Sequence, residues 1–330
     1  MNSKKINIGV IGSGHLGQYH VKHYKNMNNI NFLGLHDSNP ERGNEIAKKY
    51  ETKYFENVSN LMEICDGVSI VTPTESHYDV AKIALNEFCC NVFIEKPITE
   101  TISQADDLIN HAQKNNLIIQ VGHIERLNPA LKALEKYDIN PKFIDIQRLA
   151  PYTLRGTDVP VVLDLMIHDI DILLSLVKSK VKSIHASGVS ILTNSVDIAH
   201  ARIRFENGTV SSVIASRVAK NKIRKIKIFQ DNLYSTIDLL LEQTEIYNIT
   251  KDSNLIENAL QAEPFSGDNE KKYIVYEKPK IKNYDSLREE LNNFVNSILK
   301  IESPIVSGIE ARNALGVVIK INEMILEDLK

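Results

Sequence analysis

Residues Gly12-Ser13-Gly14-His15-Leu16-Gly17 constrain this chain more than any other segment, because of what flanks them. Before them runs Ile6-Asn7-Ile8-Gly9-Val10-Ile11, an apolar strand pattern; after them comes an amphipathic helix opened by Leu16, Tyr19 and His20, with Tyr24 and Met27 near its end. G-x-G-x-x-G between a strand and a helix is a dinucleotide-binding fingerprint. The first glycine makes the tight turn, the second lets a pyrophosphate approach the backbone, and the third allows close helix–strand packing. The helix amino terminus then offers unpaired N–H groups and a favourable dipole. Gly12, Gly14, His15, Leu16 and Gly17 are therefore expected to line the phosphates of a dinucleotide.

A second strand pattern, Ile30 to His36, ends at Asp37, where an acid usually accepts hydrogen bonds from the adenosine ribose hydroxyls. A carboxylate there repels a 2′-phosphate, so NAD is the expected cofactor and NADP the less favoured one, kept open by Arg42 nearby. An Asp before Asn39-Pro40 also suits a turn or helix cap. The upstream fingerprint tips the reading to the ribose role.

Strands and helices go on alternating. Val68 to Val71 reads as a buried strand ending in Thr72-Pro73-Thr74, and the next helix carries His77 in its first turn. Asn91 to Ile94 is a further strand, ending in Glu95-Lys96-Pro97, and Leu117 to Val121 is another. This order predicts a doubly wound parallel sheet, a Rossmann domain over residues 1–122. Thr72, Pro73, His77, Glu95 and Lys96 then belong on the same carboxyl rim as the glycine turn, which puts Lys96 near the nicotinamide end of a dinucleotide.

Residues 123–330 read differently, as an α/β domain with a large open, mostly antiparallel sheet. Strand patterns recur at Lys142–Leu149, Val181–Ile191, Val196–Phe205, Gly208–Ser216 and Ile223–Gln230, with an Asn207-Gly208 hairpin turn. The stretch from Ile249 to Lys282 reads as loops with a short strand near Tyr273–Tyr276, and two closing helices are expected at about Ser286–Leu299 and Gly308–Leu326. Between Leu163 and Leu174 a nearly all-apolar helix carries Asp164, His168 and Asp171 at i, i+4 and i+7, one polar stripe. Buried carboxylates and imidazoles are costly unless paired or engaged by a ligand, so the stripe is either a site or an internally satisfied pair.

The bulk properties exclude several classes. A net charge of −3 gives no general attraction to nucleic acid or anionic membrane. No apolar run approaches the roughly 20 residues of a membrane span, and Cys65, Cys89 and Cys90 lack metal-ligand spacing, so no metal is expected and a reducing cytoplasm is. The cluster of Lys220, Lys222, Arg224, Lys225 and Lys227 reads as a solvated sheet face or subunit contact.

Taken in order, the glycine turn, Asp37, Thr72-Pro73, His77, Glu95-Lys96-Pro97 and the Asp164/His168/Asp171 helix resemble the Gfo/Idh/MocA oxidoreductase family over nearly the whole length. The resemblance implies a sheet domain that forms a homodimer or homotetramer, and Lys96 and His168 facing a substrate beside the nicotinamide, with Asp164 helping to position it. It also implies a cis peptide at Lys96–Pro97. One departure stands out: Asp158-Val159-Pro160-Val161-Val162-Leu163 precedes Asp164 where the family usually has glycines. Val121 to Ala130 and Asp164 to Asp171 are further similar to the branch containing UDP-N-acetylglucosamine 3-dehydrogenases.

The activity so implied is hydride transfer from a secondary hydroxyl of a sugar or nucleotide sugar to NAD. Alternatives are another sugar or inositol dehydrogenase of the family, or a dinucleotide-sensing regulator without catalysis. Histidine as a residue type has an intrinsic pKa suited to a base, so His168 is assigned the base, and Lys96 a coupled proton-relay or hydroxyl-anchoring role. Arg126 and Arg155 are candidate partners of a nucleotide-sugar diphosphate, or else salt-bridge residues.

Overall fold

The computed structural model describes residues 5–153, 159–265 and 271–330. They form two compact units, 1–124 with 285–316 and 125–284 with 317–330.

The first unit runs β1 (Ile6–Ile11), α1 (Gly17–Lys25), β2 (Ile30–His36), α2 (Pro40–Lys49), α3 (Val58–Met62), β3 (Gly67–Ile70), α4 (Thr74–Asn86), β4 (Asn91–Glu95), α5 (Ile102–Lys114) and β5 (Ile119–Gly122). Its five strands are all parallel, in the order β2-β1-β3-β4-β5. Chain order reverses between β1 and β3, which opens a crevice at their carboxyl ends, the usual ligand position in such sheets. β3 and the centre of β4 are buried on both faces, as helices on either side of a parallel sheet require. Local chemistry sets the helix starts: Asn39 caps α2 with Pro40 at its first turn, and Thr101 with Gln104 forms a capping box on α5.

In the second unit, a short 3₁₀ turn (Ile124–Leu127) and α6 (Pro129–Lys132) lead to β6 (Phe143–Leu149). A π turn over Val162–Met166 runs directly into α7 (Ile167–Val177). Then follow β7 (Val181–Val189), β8 (Ile198–Phe205), β9 (Val210–Ser216), β10 (Ile223–Gln230), β11 (Leu233–Asp238), β12 (Gln243–Thr250), α8 (Ser253–Asn258), β13 (Gln261–Phe265) and β14 (Lys272–Glu277). They make a nine-stranded sheet, β13-β14-β12-β11-β10-β6-β9-β8-β7, antiparallel except between β6 and β9. Alternation is clear along β8, where Ala199, Ala201, Ile203 and Phe205 are buried while His200, Arg202 and Arg204 face outward.

One region departs from the sequence pattern. The region read as loops after Ile249 contains α8 and a second strand, β13, whose Pro264 is tolerated because the strand lies at the sheet edge. The closing helices are α9 (Ser286–Ile298) and α10 (Gly308–Asp328). α9 belongs with the first unit, where Leu287, Leu291, Phe294 and Val295 join the core of β1, α1 and Phe93; the sequence reading has the closing helices of the 123–330 domain packing back on the body.

Candidate active site

The glycine turn has the shape a pyrophosphate needs. Gly12 stands at φ +91°, and a Cβ on it would lie 2.6 Å from the Val71 carbonyl oxygen, so only glycine lets the turn after β1 meet the end of β3. A side chain at Gly17 would run into the Gly12 carbonyl, while Gly14 opens onto empty space. No side chain caps α1 at Leu16; in its first turn the Gln18 amide donates to the Gly14 carbonyl, and the Tyr19 and His20 amides to that of Leu16. Beside the turn lies a cavity of about 380 Å³ lined by Ser13, Gly14, His15, Arg42, Glu45 and Lys49, among others.

Asp37, at the end of β2, is buried. Its Oδ2 accepts from the Ser13 amide and Ser13 Oγ, both at 2.7 Å, and its Oδ1 accepts from the Asn39 amide at 2.9 Å. Burial alone would raise the carboxyl pKa, but these bonds, with Arg42 nearby, hold it below the ordinary carboxylate value. The group is therefore an anion at neutral pH. A carboxylate has about four acceptor positions, so one remains for a ribose hydroxyl. The residues present fit an NAD adenosine, and the negative charge opposes a 2′-phosphate.

The rim continues at Thr72, Pro73 and His77. Thr72 Oγ1 is buried with no hydrogen-bond partner among the described residues, a polar atom that a ligand can satisfy. His77 is spent on the backbone: Nδ1 lies 2.9 Å from the Pro97 carbonyl oxygen and Nε2 2.9 Å from that of Thr72. Burial lowers its pKa, against the raising effect of both carbonyls and Glu95. His77 thereby ties together the loops after β3 and β4. Between those loops' residues sits the Lys96–Pro97 peptide, which is cis. Glu95 Oε1 meets His20 Nε2 at 3.1 Å, and its Oε2 accepts from the Lys96 amide at 3.3 Å.

In the second unit the polar stripe divides. Asp164 lies in the π turn and His168 in the first turn of α7, both half-buried. Asp171 is buried and takes a bidentate pair from Arg126, Nε to Oδ2 at 2.7 Å and Nη2 to Oδ1 at 2.9 Å. Nε and Nη2 of Arg126 are thus engaged by a buried carboxylate. Arg155 lies outside the described residues. The π turn begins within the Val161-Val162-Leu163 run that precedes Asp164.

The family model described as oxidoreductase family, NAD-binding Rossmann fold matches residues 6–123, and the model of the Gfo/Idh/MocA C-terminal domain matches 151–232. The UDP-N-acetylglucosamine 3-dehydrogenase of Acidithiobacillus ferrooxidans is 38% identical over 241 residues, 73% of this chain and 76% of that protein. This chain belongs to the Gfo/Idh/MocA family. A solved structure of the same Acidithiobacillus enzyme superposes with a TM-score of 0.88 at 31% identity, covering 99% of this chain and 100% of that one. The myo-inositol 2-dehydrogenase of Thermotoga maritima is 25% identical over 94% of this chain and 93% of its own length.

As a Gfo/Idh/MocA protein the chain is an NAD-binding oxidoreductase. Several residues that shape its units had no signal in the sequence motifs. Arg148 on β6 donates to both Asp169 oxygens on α7 at 2.8–3.0 Å and to Glu125 at 3.1 Å, and Arg224 on β10 also reaches Glu125, at 2.8 Å. Among the described residues no group of His, Cys, Asp and Glu could hold a metal ion, and no helix is long and apolar enough to cross a membrane.

Proposed function

We propose that this chain oxidises a secondary hydroxyl of a sugar or nucleotide sugar, with UDP-N-acetylglucosamine as the first candidate substrate. The observation that carries the reading is the relationship to the Acidithiobacillus 3-dehydrogenase over nearly the whole chain, together with Lys96, His168 and Asp164 in the family's motif positions. NAD, when bound, supplies the hydride acceptor. Gly12, Gly14, His15, Leu16 and Gly17 are assigned to its phosphates, Asp37 to its adenosine ribose, and Thr72, Pro73 and Glu95 to the rim beside its nicotinamide. His168 takes the hydroxyl proton, Lys96 anchors that hydroxyl and relays the proton, and Asp164 orients the sugar. A base and a relay near neutrality are worth about two to four orders of magnitude in rate.

The test is NADH formation with NAD or NADP and a panel of UDP-N-acetylglucosamine, free sugars, sugar phosphates and inositols, with a 2-oxo acid present as acceptor to reveal tightly held cofactor. UDP-N-acetylglucosamine with NAD is expected to give the highest kcat/KM. A preference for an inositol would favour the reading suggested by the Thermotoga relative. NAD binding without turnover of any candidate would favour the regulator.

The same reading includes a homodimer or homotetramer built on the open sheet. Phe143, Phe229, Tyr234, Tyr247 and Tyr276 form a continuous ladder across five strands, with ring centroids 4.8–5.9 Å apart. Phe143 and Phe229 are 38% and 40% exposed, and an apolar patch of this kind rimmed by Lys225 and Lys227 suits a protein partner. Light scattering is expected to give a dimer or tetramer, and Phe229→Asp to shift it to monomer; an unchanged mass would remove the sheet face from consideration. A cytoplasmic setting is consistent with the free thiols of Cys65, Cys89 and Cys90.

A further inference from the structure

His20 lies on α1, the helix that opens at the glycine turn, and has no part in the roles assigned above. It is fully buried, packed edge-on against Phe93 at 5.3 Å. Its Nε2 is 3.1 Å from Glu95 Oε1, while Nδ1 is buried with no partner among the described residues. A leucine or methionine would fill this space without stranding a polar nitrogen. The imidazole therefore stands there at a cost, and its one polar side-chain contact among the described residues is Glu95. A carboxylate only accepts, so Nε2 is the donor in this contact.

Glu95 is confined on its other sides as well. It sits opposite Gly122 in the β4–β5 register, and a Cβ on Gly122 would come within 2.8–2.9 Å of the carboxylate atoms. β5 thus leaves out a side chain where the Glu95 carboxylate lies. The remaining oxygen, Oε2, receives the Lys96 amide. On the far side of Lys96, the Pro97 carbonyl is taken by His77. The backbone of Lys96 is consequently held from α1 through Glu95 and from α4 through His77.

We propose that His20 and Glu95 are a positioning pair for Lys96, linking the dinucleotide-binding helix to the lysine that handles the substrate hydroxyl. The pair rests on the role given to Lys96 under the proposed function. Neither residue touches substrate. His20 fixes the Glu95 carboxylate, the carboxylate fixes the Lys96 amide, and the fixed backbone limits where a long, flexible side chain can place its amine. A displacement of about 1 Å in such a group can cost on the order of a hundredfold in rate.

His20→Leu keeps the volume and removes the donor; His20→Gln keeps a donor at similar reach. His20→Leu is expected to lower kcat by about ten- to a hundredfold, to leave the NAD dissociation constant nearly unchanged, and to speed hydrogen exchange of the peptide containing Lys96 and no other. His20→Gln is expected to restore most of both. A folded His20→Leu protein with wild-type kcat and wild-type exchange at Lys96 would overturn the pair, as would His20→Gln falling as far as His20→Leu. If the wild-type protein turns over no sugar at all, the proposed function fails, and the exchange measurement alone decides whether His20 holds Lys96.

Discussion

Lys96→Met is expected to lower kcat by about two to four orders of magnitude while NAD affinity stays close to that of the wild type. Methionine retains most of the apolar stem and removes only the amine. The turn itself does not depend on that amine: the Glu95 carboxylate accepts from the Lys96 amide, and His77 takes the Pro97 carbonyl. The adenosine end, at Asp37 and the glycine turn, lies on β1, β2 and α1, distant in sequence from the substitution. Loss of turnover with retained binding would therefore isolate a chemical role. Stopped-flow hydride transfer and calorimetric NAD binding measure the two quantities separately. Because Lys96 and His168 are assigned to one proton path, Lys96→Met combined with His168→Asn should cost little more than the worse single change. Full additivity would mean that the two residues act on different steps, and undiminished kcat in Lys96→Met would remove the lysine from the mechanism.

The first unit was largely legible because its determinants are local. Strand, glycine turn and helix adjoin in sequence, the acid follows at the end of the next strand, and each later strand announces its own rim residues. What sequence did not reveal was how rim residues divide between ligand and scaffold. His77 and Asp37 both have motif positions, yet His77 lies between the Pro97 and Thr72 carbonyls, and Asp37 also fastens Ser13. The second unit was less legible for two physical reasons. Its charged residues pair over long separations, Glu125 with Arg224 and Arg148 with Asp169, and no helical or strand period encodes such partners. The helix also begins with a π turn, whose i→i+5 bonding breaks the regular register. Asp164, His168 and Asp171 share one stripe on a regular helix, whereas here Asp171 is turned to Arg126 and the other two remain half-buried.

The second large effect concerns that charged network. Arg148→Met is expected to destabilise the protein by about 3–5 kcal/mol, read as a fall in the urea midpoint. Arg148 and Asp169 have side chains only 3% and 2% exposed, so removing the guanidinium strands a carboxylate in the interior. Glu125 is not stranded, because Arg224 still reaches it. The pair is not itself a large source of stability. Burial pushes the Asp169 carboxyl above its ordinary pKa even with Arg148 opposing it. An acid raised in the folded state costs stability as pH rises from its unfolded pKa through its folded one. Two consequences follow from the sign. Adding Asp169→Leu to Arg148→Met should recover most of the loss, since an apolar pair needs no counter-charge. The deficit of Arg148→Met should also shrink as the pH falls towards the carboxylate range, because a protonated Asp169 can be buried without its arginine. A deficit that is the same at neutral and mildly acidic pH would mean that lost packing around Arg148, and not the unpaired Asp169 charge, sets the stability of the sheet beneath α7.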